Sequence, residues 1–520
     1  MEYKLRDYQQ RWCRKTYDAF VKGVGGQRPT RIMSTAATGA GKTVMASAFI
    51  WTMIRKHDKR ALFLADTDDL IDQAASGIFN ATGLIPSIEQ STNQGNRRSM
   101  NVVGSIQSIS QPDRLASWDP DHFGLVIADE AHLSMADSWQ RTLKHFNQDG
   151  KGAWILGVTA TPERGDDKDL WDFYEHLGDE VGLFELIDGG HLAPLTVETV
   201  PIHIDATKAA IQANYADEGN EMASAIEPYW EQMIKEWQTR AGDRKTLAFH
   251  PGCSASKRFT DMLIKHGVKA AHIDGNSKDR KAILQAFSDG DIEFLNCANL
   301  LQKGYDCPSI RCVLIMKPTQ SRVAYQQMAG RGTRKCDGKT DCLLLDFFWQ
   351  FAEKMKPCGP ADLVTRDPKE RAAVAKILRD NPQQDLAGAI SEAQLATEQS
   401  IVDRLQALST RGGGLRFDAR DLGSLLHQPE LATYQPTAKW EHEGASPAQT
   451  DMLTKAGVLT EGMTKGAASQ MIETLISRRD KNMATPKQIA MLATRGIEDG
   501  HTLTFTEAGQ AIDRSMQHAS

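Results

Sequence analysis

Short, nearly continuous apolar runs recur along the chain as far as residue 346. They are Ile32-Met33-Ser34-Thr35, Ala61-Leu62-Phe63-Leu64-Ala65, Phe123-Gly124-Leu125-Val126-Ile127-Ala128, Thr246-Leu247-Ala248-Phe249, Ile292-Glu293-Phe294-Leu295, Val313-Leu314-Ile315-Met316 and Cys342-Leu343-Leu344-Leu345. Runs of that length without polar alternation predict strands buried on both faces, as in a parallel sheet. Residues 44–50 predict a helix directly after the first run. Between the fourth and fifth runs, Ser277 is expected to cap a helix in which Ile283 and Phe287 share a face, with Gly290 closing it. Strands alternating with helices predict an α/β fold of doubly wound parallel sheets.

The pattern changes after Phe351. Residues 368–408 are rich in Ala, Leu, Gln and charge and predict helices, broken at Asp380-Asn381-Pro382. Arg411-Gly412-Gly413-Gly414 and the mixed stretch to Ser446 read as a linker with short helices. An internal repeat follows. Ser446-Pro447-Ala448-Gln449, with Leu453 and Gly457, returns 39 residues later as Thr485-Pro486-Lys487-Gln488, with Leu492 and Gly496. Thr464, Ala468 and Ile472 return as Thr504, Ala508 and Ile512 after one extra residue. Each unit predicts a capped helix, a glycine stop and a second capped helix. The repeat reads equally as a DNA- or partner-binding module and as a structural one.

Composition bounds the class. A chain of 520 residues should hold about three or four domains. Its apolar share of 41% is that of an ordinary globular protein, and its net charge of −6 means that any nucleic acid must be gripped in a local groove rather than by global attraction. The opening residues are too polar for a signal peptide, and no apolar stretch is long enough to span a bilayer, so no membrane role is expected. Eight scattered cysteines suggest thiols in a reducing cytoplasm rather than a disulfide framework. Cys336, Cys342 and Cys358 lack the paired spacing of a zinc site.

The chemistry sits at the ends of the apolar runs. Ala36-Ala37-Thr38-Gly39-Ala40-Gly41-Lys42-Thr43 falls between the first strand and its helix. There, backbone N–H groups and the helix N-terminus can cradle phosphates, with Thr38, Gly39 and Gly41 shaping the loop. Lys42 would reach the β- and γ-phosphates of a nucleotide and the Thr43 hydroxyl would bind Mg²⁺. Ala36 stands at an opening position usually held by Gly. The third run delivers Asp129-Glu130-Ala131-His132 at its C-terminal end, the edge at which open α/β sheets bind ligands. Asp129 is placed to hold Mg²⁺ and Glu130 to orient and deprotonate a water. About 290 residues beyond the phosphate loop, Gln327-Met328-Ala329-Gly330-Arg331-Gly332-Thr333-Arg334 can bring two arginines to a γ-phosphate. Such a finger is worth on the order of 10³–10⁵ in rate where it has been removed. Two lobes closing on one ATP are therefore expected.

Together these segments resemble the DEAH-box branch of superfamily two helicases and translocases. The resemblance covers about residues 1 to 350 and implies two RecA-like lobes. Within the superfamily it is nearest the DNA-directed group of restriction-enzyme motor subunits, RadD-like proteins and phage UvsW-like helicases. Leu5-Arg6-Asp7-Tyr8-Gln9 is similar to the adenine-reading element, with Gln9 as the implied base contact. Gly157-Val158-Thr159-Ala160-Thr161-Pro162 is similar to the third motif, implying that Thr159 and Thr161 couple hydrolysis to lobe movement. Ser105-Ile106-Gln107-Ser108 resembles a strand-contacting motif, through Ser105 and Gln107. Gly304-Tyr305-Asp306-Cys307-Pro308 resembles the fifth motif, implying nucleotide contacts from Gly304 and Asp306.

Two departures stand out. Asp66-Thr67-Asp68-Asp69 replaces a segment that is commonly basic in relatives, and an acidic cluster repels a phosphate backbone. Lys303 stands where an acid usually precedes Gly304, and reads either as a phosphate contact or as a solvated lysine. The organisation expected is a first lobe over 1–200, a second over 201–355, a helical accessory region and linker over 356–445, and the repeat over 446–520. The expected activity is ATP- and Mg²⁺-dependent DNA unwinding or translocation in replication, recombination or repair, in a bacterial or phage-infected cytoplasm. DNA is the expected partner ahead of RNA, with a protein partner as one reading of the repeat. An RNA helicase would share every nucleotide-handling residue; a nucleic-acid clamp switched by ATP is the alternative from another class.

Overall fold

A computed structural model of the chain describes residues 4–23, 28–160, 170–200, 226–298, 307–347 except 318 and 320, 358–363, 368–381, most of 386–396, 417–428, isolated positions at 431–436, and 439–517 except 494. Thr161, Lys303, Gly304 and Asp306 lie outside the described residues, as does the glycine run at 412–414. The chain forms two compact units, Met1–Ile390 and Ser391–Ser520.

The first unit contains two sheets. In the first lobe, helix α1 (Asp7–Lys22) precedes β1 (Arg31–Ala36), α2 (Lys42–His57), β2 (Ala61–Ala65), α3 (Asp68–Thr82), β3 (Ser87–Glu89), β4 (Asn101–Ser105), α4 (Ile106–Ile109), α5 (Pro112–Ala116), β5 (Leu125–Asp129), α6 (Asp137–Asn147), β6 (Trp154–Thr159), β7 (His176–Val181) and α7 (Leu183–Asp188). The seven strands run in the order β3-β4-β2-β5-β6-β1-β7, every neighbour parallel. In register, Thr35 lies beside Thr159 and Asp129 beside Val158, so β1, β6 and β5 end along one edge. That shared edge places the phosphate loop, the acids and the third motif side by side. Gly157 of β6 is needed for packing, because a Cβ there would fall 2.4 Å from the ring of the fully buried Tyr174.

The second sheet has six strands, all parallel, in the order β10-β11-β9-β12-β13-β8: β8 (Leu195–Thr199), β9 (Thr246–Phe249), β10 (Ala270–Ile273), β11 (Phe294–Cys297), β12 (Cys312–Ile315) and β13 (Cys342–Asp346). Its core packs Trp230 and Trp237 of the helix Trp230–Ala241 with Phe259 and Phe294. Two parallel-sheet α/β lobes are thus present. The chain enters the second sheet at Leu195, within the segment expected to belong to the first lobe, because β8 adds to the edge of β13. Ser277 does not cap a helix: its hydroxyl accepts the Asp274 N–H and donates to the Asp274 carboxylate, and the helix Arg280–Asp289 begins after Asp279. Gly290 does close that helix, at φ 95°.

In the second unit, the helices Pro447–Lys455, Lys465–Asp480, Pro486–Ala493 and Phe505–Gln517 follow the repeat. Ser446 and Gln449 form a reciprocal cap, as do Thr485 and Gln488. Equivalent antiparallel bridges join Gly444 to Thr464 and Met483 to Thr504. The core reaches further back than expected: Phe417 pairs with Val458, and Leu422, Leu425 and Leu426 join the same buried cluster. No helix among the described residues is long and apolar enough to cross a membrane.

Candidate nucleotide site

The phosphate loop leaves β1 at Ala36 and enters α2 at Lys42. Gly39 and Gly41 adopt φ of 89° and 81°, conformations that a side chain would strain. The loop is tied from behind. The Tyr8 hydroxyl and the Gln9 amide both donate to the Ala40 carbonyl, at 2.9 and 3.1 Å, and the Arg6 N–H donates to the Gln9 Oε1. Gln9 retains one amide hydrogen and one carbonyl lone pair for the base contact the resemblance implies. The half-buried Lys42 makes one long bond, 3.4 Å, to the Ala36 carbonyl. Burial lowers its pKa, opposed by Glu130 and Asp129. The buried Thr38 hydroxyl has no hydrogen-bond partner among the described residues. A loop with left-handed glycines, an orphaned hydroxyl and a weakly held ammonium fits a polyphosphate.

At the end of β5, Glu130 stands in the left-handed region, φ 52° and ψ 56°, a costly conformation for a residue with a Cβ. Its N–H donates to the Asp129 carboxylate at 3.1 Å. Burial and the Glu130 charge push the Asp129 pKa up to about 7, with Lys42 pulling the other way. Such a desolvated acid pair fits a divalent cation, for which Asp129 and Thr43 are the candidate ligands. Glu130 is gripped from two directions. His132 Nδ1 lies 3.3 Å from Glu130 Oε2 and 3.3 Å from the Thr159 hydroxyl, and Gln327 of the second lobe donates to Glu130 Oε1 at 3.3 Å.

The helix Arg322–Ala329 carries Gln327, and the arginines follow on the irregular segment after it. Arg331 is buried. Gly330 packs directly on the phosphate loop: a Cβ added to it would fall 2.5 Å from the Thr38 Cβ. The Arg334 Cγ lies 3.7 Å from the position of a Cβ on Gly39. The charges of Glu130, Asp129, Arg331 and Arg334 all act on the Lys42 ammonium. The two lobes therefore bring Lys42, Thr43, Asp129, Glu130, Gln327, Arg331 and Arg334 to one place.

Ser105 and Gln107 bond to each other and to the Asp66 backbone rather than to the side chains of this cluster. The Ser105 hydroxyl donates to the Gln107 side chain at 2.7 Å, and Gln107 donates to the Asp66 carbonyl at 2.8 Å. The unexpected acids beside them have partners: Asp68 accepts from Gln90, and Asp69 pairs with Arg280 of the second lobe. Sequence reading missed the His132 bridge to Thr159, although His132 lies in the quoted motif. It also missed the Asp69–Arg280 pair, for which no local pattern exists.

The comparisons with known proteins agree with the two-lobed fold. The model described as type III restriction enzyme, res subunit, matches residues 2–164, and the helicase conserved C-terminal domain matches 229–336. The candidate ATP-dependent helicase IRC3 of Saccharomyces cerevisiae is 27% identical over 425 residues, covering 78% of this chain and 59% of the relative. The type I restriction enzyme EcoAI endonuclease subunit of Escherichia coli is 26% identical over 388 residues, covering 66% and 46%. The chain thus spans less than two thirds of the length of these curated relatives. Among solved structures, a fragment of a candidate HsdR subunit of a type I restriction enzyme from Vibrio vulnificus YJ016 matches with a TM-score of 0.52 at 24% identity, over 67% of this chain and 65% of that one. The Type ISP restriction-modification enzyme LlaBIII bound to DNA matches with a TM-score of 0.52 at 15% identity, over 99% and 41%. These likenesses show the same fold.

Paired parallel-sheet lobes with a phosphate loop on one and an arginine-bearing segment on the other define a helicase-type motor core. The chain carries the res-subunit domain over 2–164 and the helicase C-terminal domain over 229–336, and is similar to superfamily two helicases.

Proposed function

We propose that this protein hydrolyses ATP between its two lobes and couples the cycle to movement along, or unwinding of, DNA. The observation that carries the hydrolytic part is the convergence of Lys42, Asp129 and Glu130 from the first lobe with Gln327, Arg331 and Arg334 from the second. In this reading Lys42 and the loop N–H groups bind the β- and γ-phosphates, and Thr43 and Asp129 hold Mg²⁺, which when bound screens the phosphate charge. Glu130, fixed by His132 and Gln327, orients the attacking water and accepts its proton. Arg331 and Arg334 offset the charge that develops on the γ-phosphoryl oxygens. Gln327 and the His132–Thr159 contact report the state of the γ-phosphate to the lobe interface, so that opening and closing follow hydrolysis.

DNA as the track is supported by the proteins this chain resembles, which include restriction enzymes and a DNA-bound structure. The eight free thiols accord with a reducing cytoplasm. The deciding experiment is strand displacement on matched DNA and RNA duplexes, forks and four-way junctions, measured beside ATP turnover. DNA should stimulate turnover more than RNA, with an affinity that falls as salt rises. Stimulation by RNA alone would move the assignment to RNA, and DNA-stimulated turnover with neither displacement nor translocation would reduce the protein to a clamp.

A further inference from the structure

Lys339 is 8% exposed, an unusual place for an ammonium, and it forms no ion pair with a carboxylate among the described residues. Its Nζ instead donates to three backbone carbonyls: Gly332 at 2.5 Å, Arg334 at 2.7 Å and Pro308 at 3.1 Å. Two of these belong to the segment that carries Arg331 and Arg334; the third ends the fifth motif. The lysine reaches them from a tight turn over 336–339, closed by its own N–H on the Cys336 carbonyl at 3.2 Å and turned by Gly338 at φ 71°. Arg311 holds that turn from outside by donating to the Gly338 carbonyl at 2.9 Å.

An ammonium has three donors, and three carbonyls satisfy them. Burying that charge without a counterion is expensive, whereas an apolar side chain would fill the same space at lower cost. The segment has no regular secondary structure between Ala329 and Cys342; the Ala193 N–H holds the Thr333 carbonyl at 2.6 Å, and Lys339 is the side chain that joins the flanking Gly332 and Arg334 carbonyls to each other and to Pro308. We propose that Lys339 is a positioning residue for the arginine pair: by gathering the Pro308, Gly332 and Arg334 carbonyls it locks the arginine-bearing segment to the fifth-motif loop, so that Arg331 and Arg334 meet the γ-phosphoryl group pre-aligned. Arginine would not substitute, because its planar fork cannot direct donors to three carbonyls around one point. This inference rests on the hydrolytic reading of the site and adds the group that sets the geometry of its arginines.

The test is Lys339→Met in the full chain, which keeps the length of the side chain and removes the donors. Turnover should fall about 10- to 100-fold, the range that misplacing a transition-state contact by about 1 Å produces. The KM for ATP and the affinity for ADP should stay within about twofold, while affinity for ADP with aluminium fluoride falls in step with turnover. In an Arg331→Ala/Arg334→Ala background the same substitution should cost nothing further, since the groups it positions are gone. Multiplicative losses in that background, or ADP affinity falling together with turnover, would overturn the proposal in favour of a purely structural lysine. Should Lys339→Met fail to fold, Lys339→Gln keeps two donors on a shorter stem and is scored by the same cycle. A double-arginine variant with full turnover would instead refute the hydrolytic reading itself, which the wild-type and arginine controls reveal independently of Lys339.

Discussion

Glu130 illustrates how the site uses an unfavourable conformation. A left-handed backbone at a non-glycine residue costs on the order of 1 kcal/mol or more. Here it turns the side chain toward both His132 and Gln327 immediately after β5 ends. Replacing Glu130 by Gln preserves shape and hydrogen bonding while removing the base, so ATP should still bind while hydrolysis slows by at least about 10²-fold. Single-turnover hydrolysis beside nucleotide binding measures both; full activity in this variant would reassign the base. A second residue sets an acid limit on the other lobe. His250 is fully buried, bonded to Asn296 at 2.7 Å, and burial depresses its pKa from the ordinary 6.5 to about 4. The fold therefore accepts only the neutral ring, while the unfolded chain takes up a proton first. Stability should be intact above pH 6.5 and decline as pH falls toward about 4. Denaturant melts between pH 7.5 and pH 4.5 should show a shallower decline for His250→Gln than for the wild type.

At the scale of elements, the closed arrangement depends on a missing side chain. Gly330 has ordinary helical dihedrals, so its need for glycine comes from contact rather than conformation: a Cβ would meet the Thr38 Cβ at 2.5 Å and the Gln326 carbonyl at 2.9 Å. Gly330→Ala should hold the second lobe off the phosphate loop, lowering turnover about tenfold or more while each lobe melts as before. Unchanged turnover would show that the lobes work from a more open approach. This contact also marks what could be read in advance. The central strands β1, β2, β5, β9, β11, β12 and β13 were legible because burial on both faces makes them continuous apolar runs. All four edge strands, β3, β7, β8 and β10, went unread. They are short or carry polar residues, as in His176-Leu177-Gly178-Asp179-Glu180-Val181, where Asp179 is buried against Arg11 and Lys15 of α1 and so breaks the apolar run. β4 and β6 were noticed only for the motifs at their ends. In the site, Lys42, Asp129, Glu130 and Arg331 were legible from local spacing. The Gln327–Glu130 bond joins residues 197 apart, and Lys339 is one lysine in a polar turn; neither carries a periodic signal.

Over the whole molecule, the division into Met1–Ile390 and Ser391–Ser520 decides how the repeat can be removed. The second lobe draws on residues beyond Phe347, since Arg322 and Gln326 both donate to the Asp362 carbonyl and Leu363 is buried, and a chain ending at Ile390 retains these with every side chain of the nucleotide site. The boundary suggested by the repeat itself, near Glu443, falls in the wrong place. It would strip Leu453, Val458, Met471 and Leu492 from Phe417, Leu422, Leu425 and Leu426, which share their cluster. Exposing each such side chain costs about 1.5–3 kcal/mol, enough to leave a collapsed, sticky remnant. The repeat also adds no net positive field of its own to the acidic chain, since its helices carry acids such as Asp451, Glu473, Asp480, Glu507 and Asp513 among their lysines and arginines. If it selects DNA structure, it does so by shape or through a partner rather than by bulk charge. A chain ending at Ile390 should therefore keep basal ATP turnover and the melting temperature of the lobes while losing affinity for forks and junctions relative to plain duplex. Loss of turnover and melting temperature together would show the repeat to be structural. Unaltered fork affinity and unwinding would eliminate substrate selection as its role.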